Sequence, residues 1–384
     1  MAERAPNRIA VLPGIGIGPE VTDATEQILR QFGIEAEKYP FGYDSIVEYG
    51  ESLTDEVLAA CESSDAVLLG AVGTPPEEVE RLSREGSGDE PTAEQGLLLL
   101  RRELVVASLR PMEDYFPPTE DRPDVDLMLV RELLGGIYRG DGYITEEEAV
   151  DIVSYKRHEV ERIATIGFEV ARARALEKGR PARLISVDKA NIEHISKFWR
   201  TIVSGIAKQF PDVECTHMFV DNAAMQIAAR PWEFDVILTE NAKGDILSDE
   251  SAGRVHGSLG LAPSISLAER DEQGVPTGPD IAESVHGAGF DIAGKGKANP
   301  LATYFSVELM LRYTLNRPND ADDLRAAIGD VLHTQYRTPD MVPAGQEGAF
   351  RIVSTNGMAD LVSDRLAARL AERRSATSSD RPRP

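Results

Sequence analysis

Ile9-Ala-Val-Leu-Pro-Gly-Ile-Gly-Ile-Gly-Pro-Glu20 joins a short apolar run, a turn of alternating glycines and a proline. Four apolar residues without polar alternation read as a strand buried on both faces, the habit of parallel sheets. Pro19 suits the first turn of a helix, where the missing N–H has no partner to lose, and residues 19–32 continue with helical spacing. Strand, glycine turn and helix invite a dinucleotide-binding fingerprint, with Glu35 and Glu37 about twenty residues on. The spacing, however, is G-x-G-x-G, and Pro19-Glu20 stand where that fingerprint wants its later glycine. The turn is therefore read as a strand-to-helix junction, not as a Rossmann cradle.

The same pattern recurs along the chain. Ala66-Val-Leu-Leu-Gly70, Asp126-Leu-Met-Leu-Val130, Leu184-Ile-Ser-Val187 and Phe234-Asp-Val-Ile-Leu238 are further buried-type strands. Amphipathic helices, for instance residues 158–178 and 193–210, lie between them. Alternating strands and helices predict an α/β architecture with largely parallel pairing. Residues 74–91, rich in Pro, Gly and Glu, read as a surface loop, and the Ser/Arg/Pro-rich residues 374–384 as a disordered tail.

Composition sets the outer bounds. The 384 residues exceed the roughly 150 of one domain, so two domains are expected. The net charge of −24 argues against nucleic acid and anionic membranes as partners, since both would repel it. Of 41 cations nine are Lys, and an acidic, Lys-poor chain suggests work in concentrated salt, where screening offsets self-repulsion. Cys61 and Cys215 form neither a disulfide framework nor a metal cluster. With no visible signal peptide and no apolar stretch near the roughly 18 residues of a membrane helix, a cytoplasmic protein is expected.

Several residues could carry chemistry. Asp245 and Asp249, in Gly244-Asp-Ile-Leu-Ser-Asp249, fall on one face of a helix about a turn apart, and hard oxygen ligands suit Mg²⁺ or Mn²⁺. The plainer alternative is that Asp245 caps the helix and Asp249 is solvated. Asp221, in Phe219-Val-Asp-Asn222, ends another apolar stretch and could complete such a site. Arg101, Arg110 and Arg131 adjoin apolar runs, where a guanidinium needs an anion: a bidentate carboxylate ligand or an internal Glu. Lys189 follows a strand in Val187-Asp-Lys-Ala-Asn191 and can shed a proton as Arg cannot, or be a surface lysine. Tyr138, in Gly135-Gly-Ile-Tyr-Arg139, is a packed aromatic or a phenolic proton donor.

Taken jointly, these stretches resemble the β-decarboxylating dehydrogenases, the group of isocitrate, isopropylmalate, homoisocitrate, tartrate and D-malate dehydrogenases. The resemblance is carried by the opening turn, Val130-Arg-Glu-Leu-Leu-Gly-Gly-Ile-Tyr138, Val187-Asp-Lys-Ala-Asn191, Gly244-Asp-Ile-Leu-Ser-Asp249 and Asp291-Ile-Ala-Gly-Lys-Gly-Lys-Ala-Asn-Pro300. Glu94-Gln-Gly-Leu-Leu-Leu-Leu-Arg101 resembles the family segment that meets the substrate's side chain, with Leu97 and Leu98 as an apolar wall suited to an isopropyl group. The chain departs from the pattern at Ile15, where Asp is usual, at Ala242-Lys243, where an apolar pair is, and at His256, where Pro is. Gly287-Ala-Gly-Phe290 likewise replaces a Ser-Ala-Pro turn.

The resemblance implies an α/β, two-domain isopropylmalate/isocitrate dehydrogenase-like fold with a shared, mostly parallel sheet, not a Rossmann fold. Residues 1–106 plus 256–373 would form the first domain and 107–255 the second. It implies oxidative decarboxylation of a 3-substituted malate, 3-isopropylmalate first, with homoisocitrate, isocitrate or D-malate as alternatives. NAD would lie against residues 287–299, with His286, Gly287, Asp291, Ile292 and Asn299 as contacts; Asp291 would accept from ribose hydroxyls and repel a 2′-phosphate. Asp221, Asp245 and Asp249 would hold Mg²⁺ or Mn²⁺, Arg101, Arg110 and Arg131 the small dicarboxylate substrate, and Lys189 and Tyr138 would move protons. The implied assembly is a homodimer, with Lys189 and Asp221 supplied by the partner subunit.

Overall fold

The computed structural model describes residues 7–85, 90–116, 123–271 and 273–379. In chain order the elements begin with β1 (Arg8–Gly14), α1 (Gly18–Gln31), β2 (Glu35–Lys38), α2 (Tyr43–Tyr49), α3 (Asp55–Glu62), β3 (Ala66–Ala71), α4 (Pro76–Glu85) and α5 (Ala93–Leu104). There follow β4 (Ala107–Glu113), β5 (Asp126–Glu132), β6 (Gly142–Ile144), β7 (Ala149–Asp151), α6 (Arg157–Lys178), β8 (Ala182–Asp188), α7 (His194–Ile206), β9 (Val213–Phe219) and α8 (Val220–Ala229). Last come β10 (Val236–Thr239), α9 (Asn241–Val255), β11 (Pro263–Leu267), β12 (Asp280–Ser284), α10 (Leu301–Tyr313), α11 (Pro318–Leu332) and α12 (Thr355–Ser379).

The main strands run in the order β2-β1-β3-β12-β11-β4-β5-β10-β8-β9, unlike a doubly wound dinucleotide fold. β1 pairs in parallel with β2 and β3, β12 with β3, and β10 with β5 and β8; β4 and β5 are antiparallel. The chain divides into two compact units. The first takes the chain up to Leu100, Gly260–Ile265 and everything from Arg270 onward; the second takes Arg101–Leu259 and Ser266–Glu269.

In the first unit the apolar runs of β1 and β3 are buried along their length, as strands covered on both faces must be. At the sheet's edge β2 is exposed throughout and reads Glu-Ala-Glu-Lys, charges that discourage pairing with another chain. Helix α1 opens on Pro19 and buries Val21, Ala24, Ile28 and Leu29, the three-and-four spacing of one helical face. Gly16 takes φ +67°, and a Cβ on it would stand 2.0 Å from the Ala288 carbonyl oxygen, so only glycine fits. Ile17 N–H donates to that same carbonyl at 2.8 Å, and Gly294 N–H donates to Glu20. The glycine turn is thus the seat of the loop after β12, which explains its spacing without a phosphate.

Two readings from composition need correction. Residues 74–91 are not simply loop: Pro76 opens α4, and Glu77 and Glu78 sit in its first turn, where the helix dipole favours acids. What looked like loop composition is that of a helix N-terminus. Helix α12 runs on to Ser379, into the stretch 374–384 expected as a tail, and residues 380–384 lie outside the described residues.

Candidate active site

The second unit collects the charged candidates on one face of β4 and β5. Antiparallel register sets Arg110 opposite Leu129 and Ser108 opposite Arg131, so Arg110 and Arg131 are diagonal neighbours on the same face. Helix α9 packs against both strands and brings Asp245 to them. Its N-cap is Glu240, whose carboxylate accepts the Lys243 N–H at 2.9 Å, so Asp245 and Asp249 both lie inside the helix. The capping alternative for Asp245 is therefore removed.

Asp245 is the hub. Its Oδ1 accepts from Arg131 Nη1 and from Arg110 Nη1, the latter at 3.3 Å, and its Oδ2 accepts the Tyr138 hydroxyl at 3.2 Å. Partial burial alone would raise its pKa, but Arg131, Arg110 and Arg101 outweigh that and hold the carboxyl below its ordinary value. Asp249, a turn further on, makes no hydrogen bond or ion pair among the described residues. Loss of hydration pushes its carboxyl up; Arg110 opposes the shift and Asp245 adds to it. Burial, then Asp245, pushes the Tyr138 phenol above its ordinary value, so it stays protonated at neutral pH. One carboxylate is bonded directly to arginines, while its neighbour feels Arg110 only at a distance.

The arginines are held from behind. Arg131 is 1 % exposed, and its Nε and Nη2 both donate to Asn241 Oδ1, at 3.1 and 2.9 Å. Asn241 Nδ2 donates to the Gly135 carbonyl at 3.1 Å, and Arg110 donates to Ser248 Oγ. Gly244 permits the close approach of α9: a Cβ there would stand 2.8 Å from Arg131 Cγ. Gly244→Ala should therefore destabilise the protein, because overpacking of ~1–3 kcal/mol outweighs the ~0.5–1 kcal/mol that alanine gains in a helix. Denaturant unfolding beside a turnover assay checks this; a variant as stable and active as the parent would contradict it.

The turn that presents Tyr138 depends on Glu132, which is fully buried and accepts the N–H groups of Leu134 and Gly135, each at 2.8 Å. Burial pushes its carboxyl up to about 7, although those two N–H groups and Arg162 pull the other way. An acid with a raised folded pKa holds its proton more tightly when folded, so stability is lost as pH rises from about 4.5 to about 7. The gap corresponds to about 3 kcal/mol. The unfolding free energy of the parent minus that of Glu132→Gln should fall by about this amount across that range. Urea titrations at several pH values measure it, and a pH-independent difference would refute the assignment.

Lys189 and Asp221 meet each other rather than this cluster. Lys189 Nζ lies 2.6 Å from Asp221 Oδ1, and Asp221 is exposed in the first turn of α8, not at a strand end. The Lys189 N–H donates to Ser196 Oγ at 3.0 Å. Asp188 anchors the same turn, accepting the Ala190 N–H and two Arg200 nitrogens at 2.7–2.9 Å. Among the described residues no three His, Cys, Asp or Glu side chains converge as a cation site.

In the first unit, His286 Nε2 is buried without a hydrogen-bond partner, and burial keeps the ring's pKa below its ordinary value, so the imidazole is neutral. Gly287 starts the loop seated on Gly16, and its carbonyl meets His286 Nδ1 at 3.1 Å. Asp291 is exposed, Ile292 packs against a small cluster of Ile17, Val21, Ala71 and Ala298, and Lys295 Nζ donates to the Asp291 carbonyl at 2.6 Å. A cation therefore stands near Asp291. Asn299 is buried, its side chain accepting the Leu301 N–H and donating to Asp340. Leu97 and Leu98 are half-buried on α5, and Arg101, one turn after Leu97 on that helix, is buried.

Asn241, Ser248, Glu132 and Tyr155 were given no role from the sequence, and Lys243 only that of a departure from an apolar pair. A signal for the first two existed: they stand four before and three after Asp245, on the same helical face. Glu132 and Tyr155 gave none: Glu132 meets N–H groups only two and three residues on, but its burial is decided by the fold, and Tyr155 meets Glu240 from far along the chain.

This arrangement sits in a chain with clear relatives. Residues 8–362 match the family model described as isocitrate/isopropylmalate dehydrogenase. A 3-isopropylmalate dehydrogenase of Geobacillus kaustophilus is 43 % identical over 372 residues, covering 92 % of this chain and 94 % of that protein. One from Chromohalobacter salexigens is 42 % identical over 374 residues, covering 92 % and 97 %. Among solved structures, an isocitrate dehydrogenase from Methylococcus capsulatus superposes with a TM-score of 0.79 at 29 % identity, covering 94 % of this chain and 99 % of that one. A β-decarboxylating dehydrogenase from Thermococcus kodakarensis gives 0.74 at 33 %, covering 95 % and 97 %. Arginine-clamped Asp245, the Tyr138 turn and the strand order thus occur in a chain matched to one family over nearly its whole length, and the protein belongs to the isocitrate/isopropylmalate dehydrogenase family.

Proposed function

We propose that this chain oxidises and decarboxylates 3-isopropylmalate with NAD and a divalent cation, a step of leucine biosynthesis. The observation that carries the chemistry is the Arg110–Asp245–Arg131–Tyr138 cluster beside the unpartnered carboxylate of Asp249. That carboxylate fits a hard cation, which would be held by Asp245 and Asp249 together with Asp221 of a second copy. His286 Nε2, buried without a partner, and the loop seated on Gly16 fit an adenosine-bearing cofactor. When bound, the cation would supply acidity at the substrate hydroxyl and an electron sink for loss of CO₂, and NAD would supply the hydride acceptor.

The chain's own side chains do the rest. Arg101, Arg110 and Arg131 bind the two carboxylates and orient the C–H bond; their buried, fixed forks need little reorganisation. Lys189 takes the hydroxyl proton. Tyr138, kept protonated by burial, returns a proton to carbon after CO₂ has left. Leu97 and Leu98 offer the isopropyl group an apolar wall, worth about 0.8 kcal/mol per buried methyl(ene). That favours isopropylmalate over isocitrate, whose third carboxylate the wall would desolvate.

A homodimer follows from the same reading. Within the second unit Ile144, Ile192 and Ile246 are 78 %, 67 % and 68 % exposed, apolar side chains that a second copy would cover. The Lys189–Asp221 pair lies apart from Asp245, as expected if it serves a second copy. The test is NADH formation from isopropylmalate, isocitrate, homoisocitrate and D-malate, with Mg²⁺ and with EDTA, repeated with NADP. Isopropylmalate with NAD and Mg²⁺ should lead by at least about tenfold in kcat/KM. No turnover of any of these acids would sink the proposal, and preference for another would move the substrate.

A further inference from the structure

Lys243 has no place in that chemistry, yet it stands in a largely buried ion pair beside it. Its side chain is 15 % exposed, and its Nζ stands 2.8 Å from Glu193 Oε2 and 3.2 Å from Glu240 Oε1. Glu240 is the N-cap of α9 and also accepts the Tyr155 hydroxyl at 3.0 Å, so one end of the pair is built into the helix that carries Asp245 and Asp249. At the other end, Glu193 Oε2 accepts the Ser196 hydroxyl at 2.6 Å, and Ser196 Oγ accepts the Lys189 N–H at 3.0 Å. A continuous chain of polar contacts therefore runs from α9 through Lys243, Glu193 and Ser196 to the Lys189 backbone, wholly within the second unit.

The surroundings strengthen it. The pair lines an open cavity of about 440 Å³ whose other walls include Ile137, Val153, Ile195 and Ile246, so its immediate surroundings are largely apolar. Glu193 is held below its ordinary pKa, burial being outweighed by its bonds from Lys243 and Ser196, so the pair stays charged at neutral pH. Arg200 on Asp188 anchors the same turn from the other side. Removing Lys243 would therefore loosen the turn without releasing it.

We propose that Lys243, acting through Glu193 and Ser196, is a positioning residue that holds the Lys189 turn in register with α9. The proposal rests on the reading of Lys189 as the base. A side chain displaced by about an ångström costs up to ~10²-fold in rate, and with one of two anchors left a loss of about tenfold is expected.

The experiment compares Lys243→Met, Lys243→Arg and the Glu193→Gln/Lys243→Met pair in the full chain. Lys243→Met should lower kcat about tenfold with KM for isopropylmalate within about threefold, and Lys243→Arg should recover most of the loss. The double variant should be no worse than Lys243→Met alone. Amide hydrogen exchange over residues 188–196 should quicken about tenfold in Lys243→Met and not in Lys243→Arg. Unchanged exchange, a loss that falls on KM, or a Lys243→Arg variant as impaired as Lys243→Met would each overturn the proposal. If the parent oxidises none of the four acids, the reading of the reaction fails, while the exchange comparison still decides the tether.

Discussion

Lys189→Met should stop turnover while leaving the fold intact. Among the described residues the Lys189 side chain bonds to Asp221, which is 66 % exposed along its side chain, and ion pairs so exposed contribute little to stability. The turn itself is held by the backbone N–H on Ser196 and by Asp188 clamped to Arg200, neither of which the substitution touches. Stability should therefore change little, with thermal unfolding close to the parent's. If Lys189 removes the hydroxyl proton, kcat should fall by ~10²–10⁴, the contribution of a positioned general base. NADH formation and thermal unfolding on the same preparation separate the two effects. A variant retaining more than a tenth of the parent's kcat would mean that another group is the base.

Arg131→Met should cost both activity and stability. Met fills much of the volume but leaves Asn241 Oδ1 without its two donors and Asp245 with only Arg110 and Tyr138. Breaking a buried ion pair costs about 3–5 kcal/mol when the orphaned charge cannot reach water. The Asp245 side chain is 39 % exposed and can be partly hydrated, so about 2–3 kcal/mol is the better expectation. Losing the fork that binds substrate should lower kcat/KM by at least ~10². Arg131→Lys is the sharper control. It keeps the charge, but a single ammonium cannot span Asp245 and Asn241 together, so it should remain at least tenfold impaired. Full activity in Arg131→Lys would show that charge alone suffices there.

The two substitutions differ because of where the sequence could be trusted. Lys189 and Asp245 stand out in the sequence by type and place: a lysine after a strand in a chain with few lysines, and an aspartate one helical turn before another. What surrounds them did not. Asp221 read as the end of an apolar strand and opens a helix instead, since β9 stops at Phe219 and α8 begins at Val220. Glu132 looked like one more surface acid in a chain of 65, yet it is fully buried against two N–H groups. Lys243 read only as a departure from an apolar pattern, although it joins the helix of Asp245 to the turn of Lys189.

The amino-acid sequence by itself determined the α/β class, the strands of both units and the residue types able to clamp a dicarboxylate. Those depend on local apolar periodicity and on side-chain chemistry, which act over a few neighbouring residues. Only the tertiary structure decided that Arg110 and Arg131 share a face, that Asp245 lies between them with Asp249 left unpaired, and that the glycine turn seats the loop after β12. Register across an antiparallel pair and close approach of distant backbones join residues far apart in the chain, and no local pattern encodes them.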